Sequence, residues 1–150
     1  MDDFSADAAA RHRIETVAME TVKRIEIELG NTPKDVSQAK CGYDIESLVP
    51  LDKRGPNGTA LRLIEVKGRS IGAKSVVVTK NEILRGLNKP DEFILAIVEV
   101  DLSAEQAGGE SVKVTYLKKP FKERPDFAAT GVIYEIKELI STSEIVLQRG

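Results

Sequence analysis

Three features of the sequence predict a mixed α/β domain built on one central sheet. Residues 11–29 carry an amphipathic helical stripe closed by Gly30, residues 75–79 read Ser-Val-Val-Val-Thr, and residues 93–100 form a nearly continuous apolar run. The last is the pattern of a strand buried on both faces, as in a sheet covered by helices on each side. A chain of 150 residues suits one domain over 1–150 with a single core.

The elements follow in order. Residues 1–10 are acidic and alanine-rich, without the basic and apolar regions of a secretory signal, and are expected to be a disordered leader. On the first helix Ile14, Val17, Ala18, Thr21, Val22, Ile25 and Leu29 fall on one face, and Asn31-Thr32-Pro33 breaks the pattern after the Gly30 cap. Residues 34–38 are expected to form a short extended piece and 43–49 a strand. Residues 50–58 are dense in turn formers and end in Gly55-Pro56-Asn57-Gly58. A second strand is expected over 60–67, followed by Gly68, and a third over the β-branched stretch 75–79. Thr79-Lys80-Asn81-Glu82 has the capping-box spacing and opens a helix to about Asn88, where Lys89-Pro90-Asp91 ends it. After the central strand come a polar loop at 103–110, an alternating strand at 112–117 and an irregular stretch at 120–130. Residues 132–140 suit a strand or a short helix, and the remainder is expected to be an irregular tail. The core order is αβββαβ.

Composition narrows the chemistry. The net charge is −2, and no apolar run approaches the roughly 20 residues that span a bilayer. Cys41 is the single cysteine, which excludes an intrachain disulfide and a thiolate zinc site and fits a reducing cytoplasm. His12 is the single histidine, so a Ser-His-Asp triad and a histidine metal site are not expected. Carboxylates, lysines and a hard metal ion remain. Charge is unevenly placed: residues 62–89 hold seven cations against two acids, Glu65 and Glu82, a local basic surface able to meet phosphates.

The candidate site follows from strand geometry. On the strand ending at Lys67, alternation puts Leu61, Leu63, Glu65 and Lys67 on one face, which turns from apolar to ionic toward Gly68. If the strands around the turn at 51–58 form a symmetric hairpin, Asp44 lies opposite Glu65, with cross-strand neighbours roughly 5 Å apart. Two carboxylates that close repel unless a cation lies between them, and an oxygen-only site suits Mg²⁺ or Mn²⁺. Lys67 points into the same site. Such a set matches phosphodiester hydrolysis.

Gly42-Tyr43-Asp44-Ile45-Glu46-Ser47, Ile64-Glu65-Val66-Lys67-Gly68-Arg69 and Thr79-Lys80-Asn81-Glu82 together resemble the family named after the C-terminal domain of the plant protein NO VEIN. The resemblance covers roughly residues 14–100. Lys119-Pro120-Phe121 and Pro125-Asp126-Phe127 resemble its helicase-associated members. In bacteria and archaea that family often accompanies helicase-like proteins, and it is considered a branch of the PD-(D/E)XK nuclease superfamily. The resemblance implies a restriction-endonuclease-like domain, a mixed central sheet flanked by helices.

Position by position, the resemblance makes Asp44, Glu65 and Lys67 the catalytic set, with Tyr43 in place of the proline of the superfamily name. Many members add an acid from the first helix. Glu15 and Glu26 are eleven residues apart, roughly 16 Å along a helix, so at most one approaches the metal, and Glu15 is favoured. The expected metal ligands are thus Asp44, Glu65 and Glu15. Arg69, Lys74, Lys80, Asn81 and Arg85 are candidate nucleic-acid contacts, and Glu46 is a candidate widening of the acidic cluster. The resemblance implies DNA and a helicase-like ATPase as partners, and with no Walker lysine motif among these residues that ATPase would be another domain or another chain. No membrane is expected, and a homodimer would suit cutting both strands. Two functions remain open: a Mg²⁺- or Mn²⁺-dependent nuclease, or a catalytically inactive nucleic-acid-binding or docking module. RNA or modified DNA is a further possible substrate.

Overall fold

A computed structural model describes residues 3–56, 58–105 and 111–150 of the chain. Its elements are α1 (Asp3–Glu28), β1 (Thr32–Asp35), β2 (Ile45–Leu48), β3 (Leu61–Ser70), β4 (Ser75–Thr79), α2 (Lys80–Asn88), β5 (Phe93–Asp101), α3 (Leu102–Glu105), β6 (Ser111–Lys118), β7 (Gly131–Glu135), α4 (Ile136–Thr142) and β8 (Glu144–Arg149). Single 3₁₀ turns occupy Ser37–Ala39 and Leu51–Lys53.

Six strands form one mixed sheet in the order β1-β2-β3-β5-β6-β8. Only the central β3–β5 pair is parallel; its neighbours on both sides are antiparallel. The two faces of β5 explain its apolar run. Ile94, Ala96 and Val98 pack with Ile14, Ala18, Val22 and Ile25 of α1, while Phe93, Leu95 and Ile97 pack with Ile83 of α2, Val76 and Val78 of β4, and Leu139 of α4. The α/β class and the burial of this strand agree with the sequence reading. Among the described residues no helix is long and apolar enough to cross a membrane.

Four expectations are corrected, those for the leader, the partner of β4, the tail and the loop at 103–110. Helix α1 begins at Asp3, so Ala8, Ala9 and Ala10 continue it rather than forming a disordered leader; alanine is the strongest helix former. The third expected strand, β4, does not join the main sheet but pairs with β7 in a separate antiparallel ribbon, Val77 opposite Ile133. Residues 132–140 hold both alternatives in turn, the end of β7 and most of α4. The expected irregular tail contains β8, which pairs with the outer edge of β6 and is tied to α1 by Arg149 Nη1 and Glu28 Oε2 at 2.6 Å. Part of the expected loop at 103–110 is the short α3; residues 106–110, like Asn57 of the earlier turn, lie outside the described residues.

Beneath α1 the protein buries a charged cluster. Glu26 is fully buried and accepts from Arg62 Nε at 2.8 Å, Arg62 Nη2 at 3.2 Å, Tyr116 Oη at 3.0 Å and Asn31 Nδ2 at 3.1 Å. A buried carboxylate held by this many donors is fixed in the interior as part of the packing.

Candidate active site

The site opens where β2 and β3 part. Their ladder runs from Leu48↔Leu61 to Ile45↔Ile64 and stops one residue short of Asp44. Beyond this point β3 continues to Ser70 along β5, while the chain before β2 turns away. Asp44 fills the resulting gap. Its N–H donates to Ile64 O at 2.9 Å, its carbonyl accepts from Val36 N at 2.8 Å, and its Oδ2 accepts the Val66 N–H at 2.9 Å. A side chain thus replaces the missing strand partner and is fixed by doing so.

Helix α1 walls the gap. A Cβ on Gly68 would lie 2.9 Å from Ala18 Cβ and 3.1 Å from Ile14 O, so glycine is what allows α1 to pass this close to β3. That approach brings Glu15 into one cleft of about 350 Å³ with Asp44, Glu65 and Lys67. Three elements therefore deliver the four expected residues to one cavity.

Its electrostatics separate the carboxyls into two kinds. Glu65 is 4% exposed. Burial, reinforced by the Asp44 charge, pushes its carboxyl up to about 10 despite the attraction of Lys67. Burial also raises Asp44, against the lowering effect of its hydrogen bonds with Val66 and Glu65. Both carboxyls are thus shifted toward their neutral forms, Glu65 the further of the two.

Lys67 Nζ lies 2.9 Å from Glu82 Oε1 and 3.3 Å from Glu65 Oε2. Burial lowers the ammonium's pKa, but Glu65 and Glu82 outweigh it and the net shift is upward. Glu82 is shifted the opposite way: burial raises it, and the Lys67 contacts bring it below its ordinary value. Glu82 is therefore the standing carboxylate partner of a permanently charged Lys67, and Glu65 is the proton holder.

Glu82 was expected only to cap α2. It does so, since the Thr79 side chain accepts from Glu82 N and Glu82 Oε1 accepts from Thr79 N at 2.8 Å. The same oxygen also binds Lys67. The capping box was legible; the reach from the first turn of α2 to β3 depends on tertiary placement.

The expected phosphate contacts divide. Asn81 lines a hollow adjoining the cleft, with Asp44, Glu65 and Glu82, and donates to Lys40 O at 3.3 Å. Arg69 lines the hollow on the other side, and its Nη1 donates to Ser75 O at 2.7 Å. Lys74 lies elsewhere, in a cavity of about 620 Å³ with Glu99, Lys113 and Glu135, because the turn at Gly72 carries it away from the end of β3. Lys80 donates to Phe127 O at 2.9 Å, its Nζ 5.0 Å from that ring. Arg85 donates to Cys41 O at 3.1 Å and sits over Tyr43. Asn81 and Arg85 thus anchor the loop that leads into Asp44. Glu46 accepts from Tyr43 Oη at 3.0 Å and is absent from the lining of the cleft.

The donor chemistry fits a hard divalent cation. Asp44 and Glu65 offer carboxylate oxygens of the kind such a cation takes, and the cleft leaves room for water. Among the described residues no three or more Asp, Glu, His or Cys side chains are arranged to hold a metal, so Glu15 lines the cleft without completing a three-acid set. Two carboxylates plus water are a sufficient set for Mg²⁺.

The profile described as "Protein NO VEIN, C-terminal" matches residues 14–116, and the chain belongs to that family. The match takes in Glu15, Asp44, Glu65, Lys67 and Glu82. No curated protein and no solved structure gives a significant match.

Proposed function

We propose that this member of the NO VEIN C-terminal family is a metal-dependent phosphodiesterase acting on DNA, a helicase-associated branch of the PD-(D/E)XK nucleases with a restriction-endonuclease-like core. The observation that carries this reading is the convergence of Asp44, Glu65 and Lys67 in one cleft, with Lys67 Nζ 3.3 Å from Glu65 Oε2. A buried Glu65 beside a half-buried Asp44 in an open cleft is the kind of perturbed carboxyl pair that clusters at functional sites.

Mg²⁺ or Mn²⁺ held by Asp44 and Glu65, with Glu15 supporting from the cleft wall, would supply an acidified water and offset charge on the phosphate oxygens. Lys67 stays an ammonium at neutral pH, so it neutralises charge on the phosphate rather than acting as a base. Glu82 holds that ammonium in position. Asp44 keeps its orientation through the Val66 N–H, leaving its other oxygen for the cleft. In the net reaction water adds to phosphorus, the ester P–O bond breaks, and the leaving oxygen takes a proton.

The setting proposed is the cytoplasm, with a helicase-like ATPase as partner. Purified protein with Mg²⁺ or Mn²⁺ is expected to nick or degrade DNA, and Asp44→Ala and Lys67→Ala each to abolish it. An Asp44→Ala variant as active as wild type would sink the mechanism.

A second reading, a non-catalytic module docking on a helicase-like protein, is favoured by one observation. Arg69, Lys80 and Arg85 all donate to backbone carbonyls of this chain, which reduces the cationic surface left for phosphates. DNA binding without cleavage under either metal would select it.

A further inference from the structure

The cleft is the middle of a longer groove. On one side it shares Ser37, Asp44 and Glu65 with a hollow of about 270 Å³ that reaches Lys40. On the other it shares Glu15, Lys67 and Gly68 with a hollow of about 410 Å³ that reaches Arg11, Arg69 and Val77. The three hollows are linked through the carboxyl pair, with cations at both ends.

We propose that this groove seats one extended polynucleotide strand across the Asp44–Glu65 centre, so that the substrate is single-stranded rather than duplex. The proposal rests on the phosphodiesterase reading of the site. Three features support a single strand. Cations line the outer hollows, Lys40 in one and Arg11 and Arg69 in the other, which suits the phosphates of one backbone; a duplex also presents a second. The candidate cations outside these hollows, Lys80 and Arg85, donate to backbone carbonyls, as Arg69 inside the groove does to Ser75 O, so the electrostatic attraction rests on Arg11 and Lys40. The centre is recessed, Glu65 being 4% exposed between α1 and the loop before β2, and a flexible strand enters such a recess more readily than a stiff duplex.

The far end also offers a surface for a base. Val76 and Val78 are buried, but Val77 between them is 56% exposed beside Arg69, an apolar face next to a guanidinium. At the near end Lys40 is placed by its own backbone. It adopts φ of 52°, a left-handed conformation that closes the 3₁₀ turn, and Asn81 holds its carbonyl. Lys40 is exposed and lines the near hollow.

The test uses the full chain carrying Asp44→Asn, so that substrate persists, with Mg²⁺ present. Fluorescence anisotropy compares a labelled oligothymidylate, an oligouridylate and a blunt DNA duplex of equal length. One of the single strands is expected to bind about tenfold tighter than the duplex, and which one identifies the sugar. Arg11→Gln and Lys40→Gln, at opposite ends, are each expected to weaken strand binding about tenfold and lower the log–log salt slope by about 0.7. Lys137→Gln, in the separate cavity beside Lys74, is expected to change neither. Duplex binding as tight as strand binding, or an unchanged salt slope in both groove variants, overturns the proposal. Wild-type protein that binds the strand as described but leaves it intact under Mg²⁺ and Mn²⁺ overturns the phosphodiesterase reading alone; equal cleavage of strand and duplex overturns the groove proposal alone.

Discussion

At Glu65 burial and the Asp44 charge act in the same direction, so the folded protein holds a proton to about 10 that an unfolded glutamate releases near 4.5. Between those values the metal-free native state binds more protons than the unfolded chain. This group's contribution to stability is therefore full below about 4.5 and is lost as pH rises toward 10, by at most about 1.4 kcal/mol per pH unit. Glu65→Gln should flatten that dependence; denaturant melts across neutral pH showing parallel slopes for both proteins would contradict the assignment. Glu82→Gln keeps a capping-box side chain but removes the charge that fixes Lys67. It should lower cleavage by about tenfold or more with little change in melting temperature, measured side by side. Glu26 differs in kind: stripping this fully buried partner from Arg62 by Glu26→Ala should destabilise by about 3–5 kcal/mol in denaturant unfolding. The register of β2 against β3, Leu48↔Leu61 to Ile45↔Ile64, was legible because a hairpin is a matter of counting, while Asp44 leaves that ladder and shares a cleft with Glu65 instead. Glu82 was not, because its local cap accounts for it completely, and Lys80 and Arg85 were not, because a cation's carbonyl partner depends on loops that carry no periodic signal.

At the scale of elements, the approach of α1 to β3 decides whether the cleft has a wall. Gly68→Ala would place a methyl within 2.9 Å of Ala18 Cβ, a contact that only movement of the helix relieves. It is expected to destabilise by about 1–3 kcal/mol and to reduce cleavage as well, since Glu15 moves with α1. Unchanged melting would show that the helix yields freely. Strand β5 and helix α2 were legible because an apolar run and a capping box are local patterns. The pairing of β4 was hidden: Ser-Val-Val-Val-Thr specifies a strand, but its partner Gly131–Glu135 lies more than fifty residues away and reads equally as strand or helix.

Over the whole molecule, the sheet is assembled from distant segments, with α1 on one face and α2, α4 and the β4–β7 ribbon on the other. The order β1-β2-β3-β5-β6 follows the chain apart from β4, and that much was readable as a mixed sheet. The closing strand β8 was missed because Ile145 and Val146 are exposed, so its residues lack the alternation that marks a half-buried strand. Leu147 nonetheless packs on the core beneath α1. Removing residues 144–150 should leave β6 as an open edge, lower the melting temperature and promote association visible by light scattering. The central claim, that this fold brings Asp44 and Glu65 together as a cation site, is tested most directly by crystals soaked in Mn²⁺. Anomalous density bridging the two carboxylates, with the ion absent in Asp44→Ala, is the result expected; saturating Mn²⁺ that leaves the pair unbridged would contradict the account.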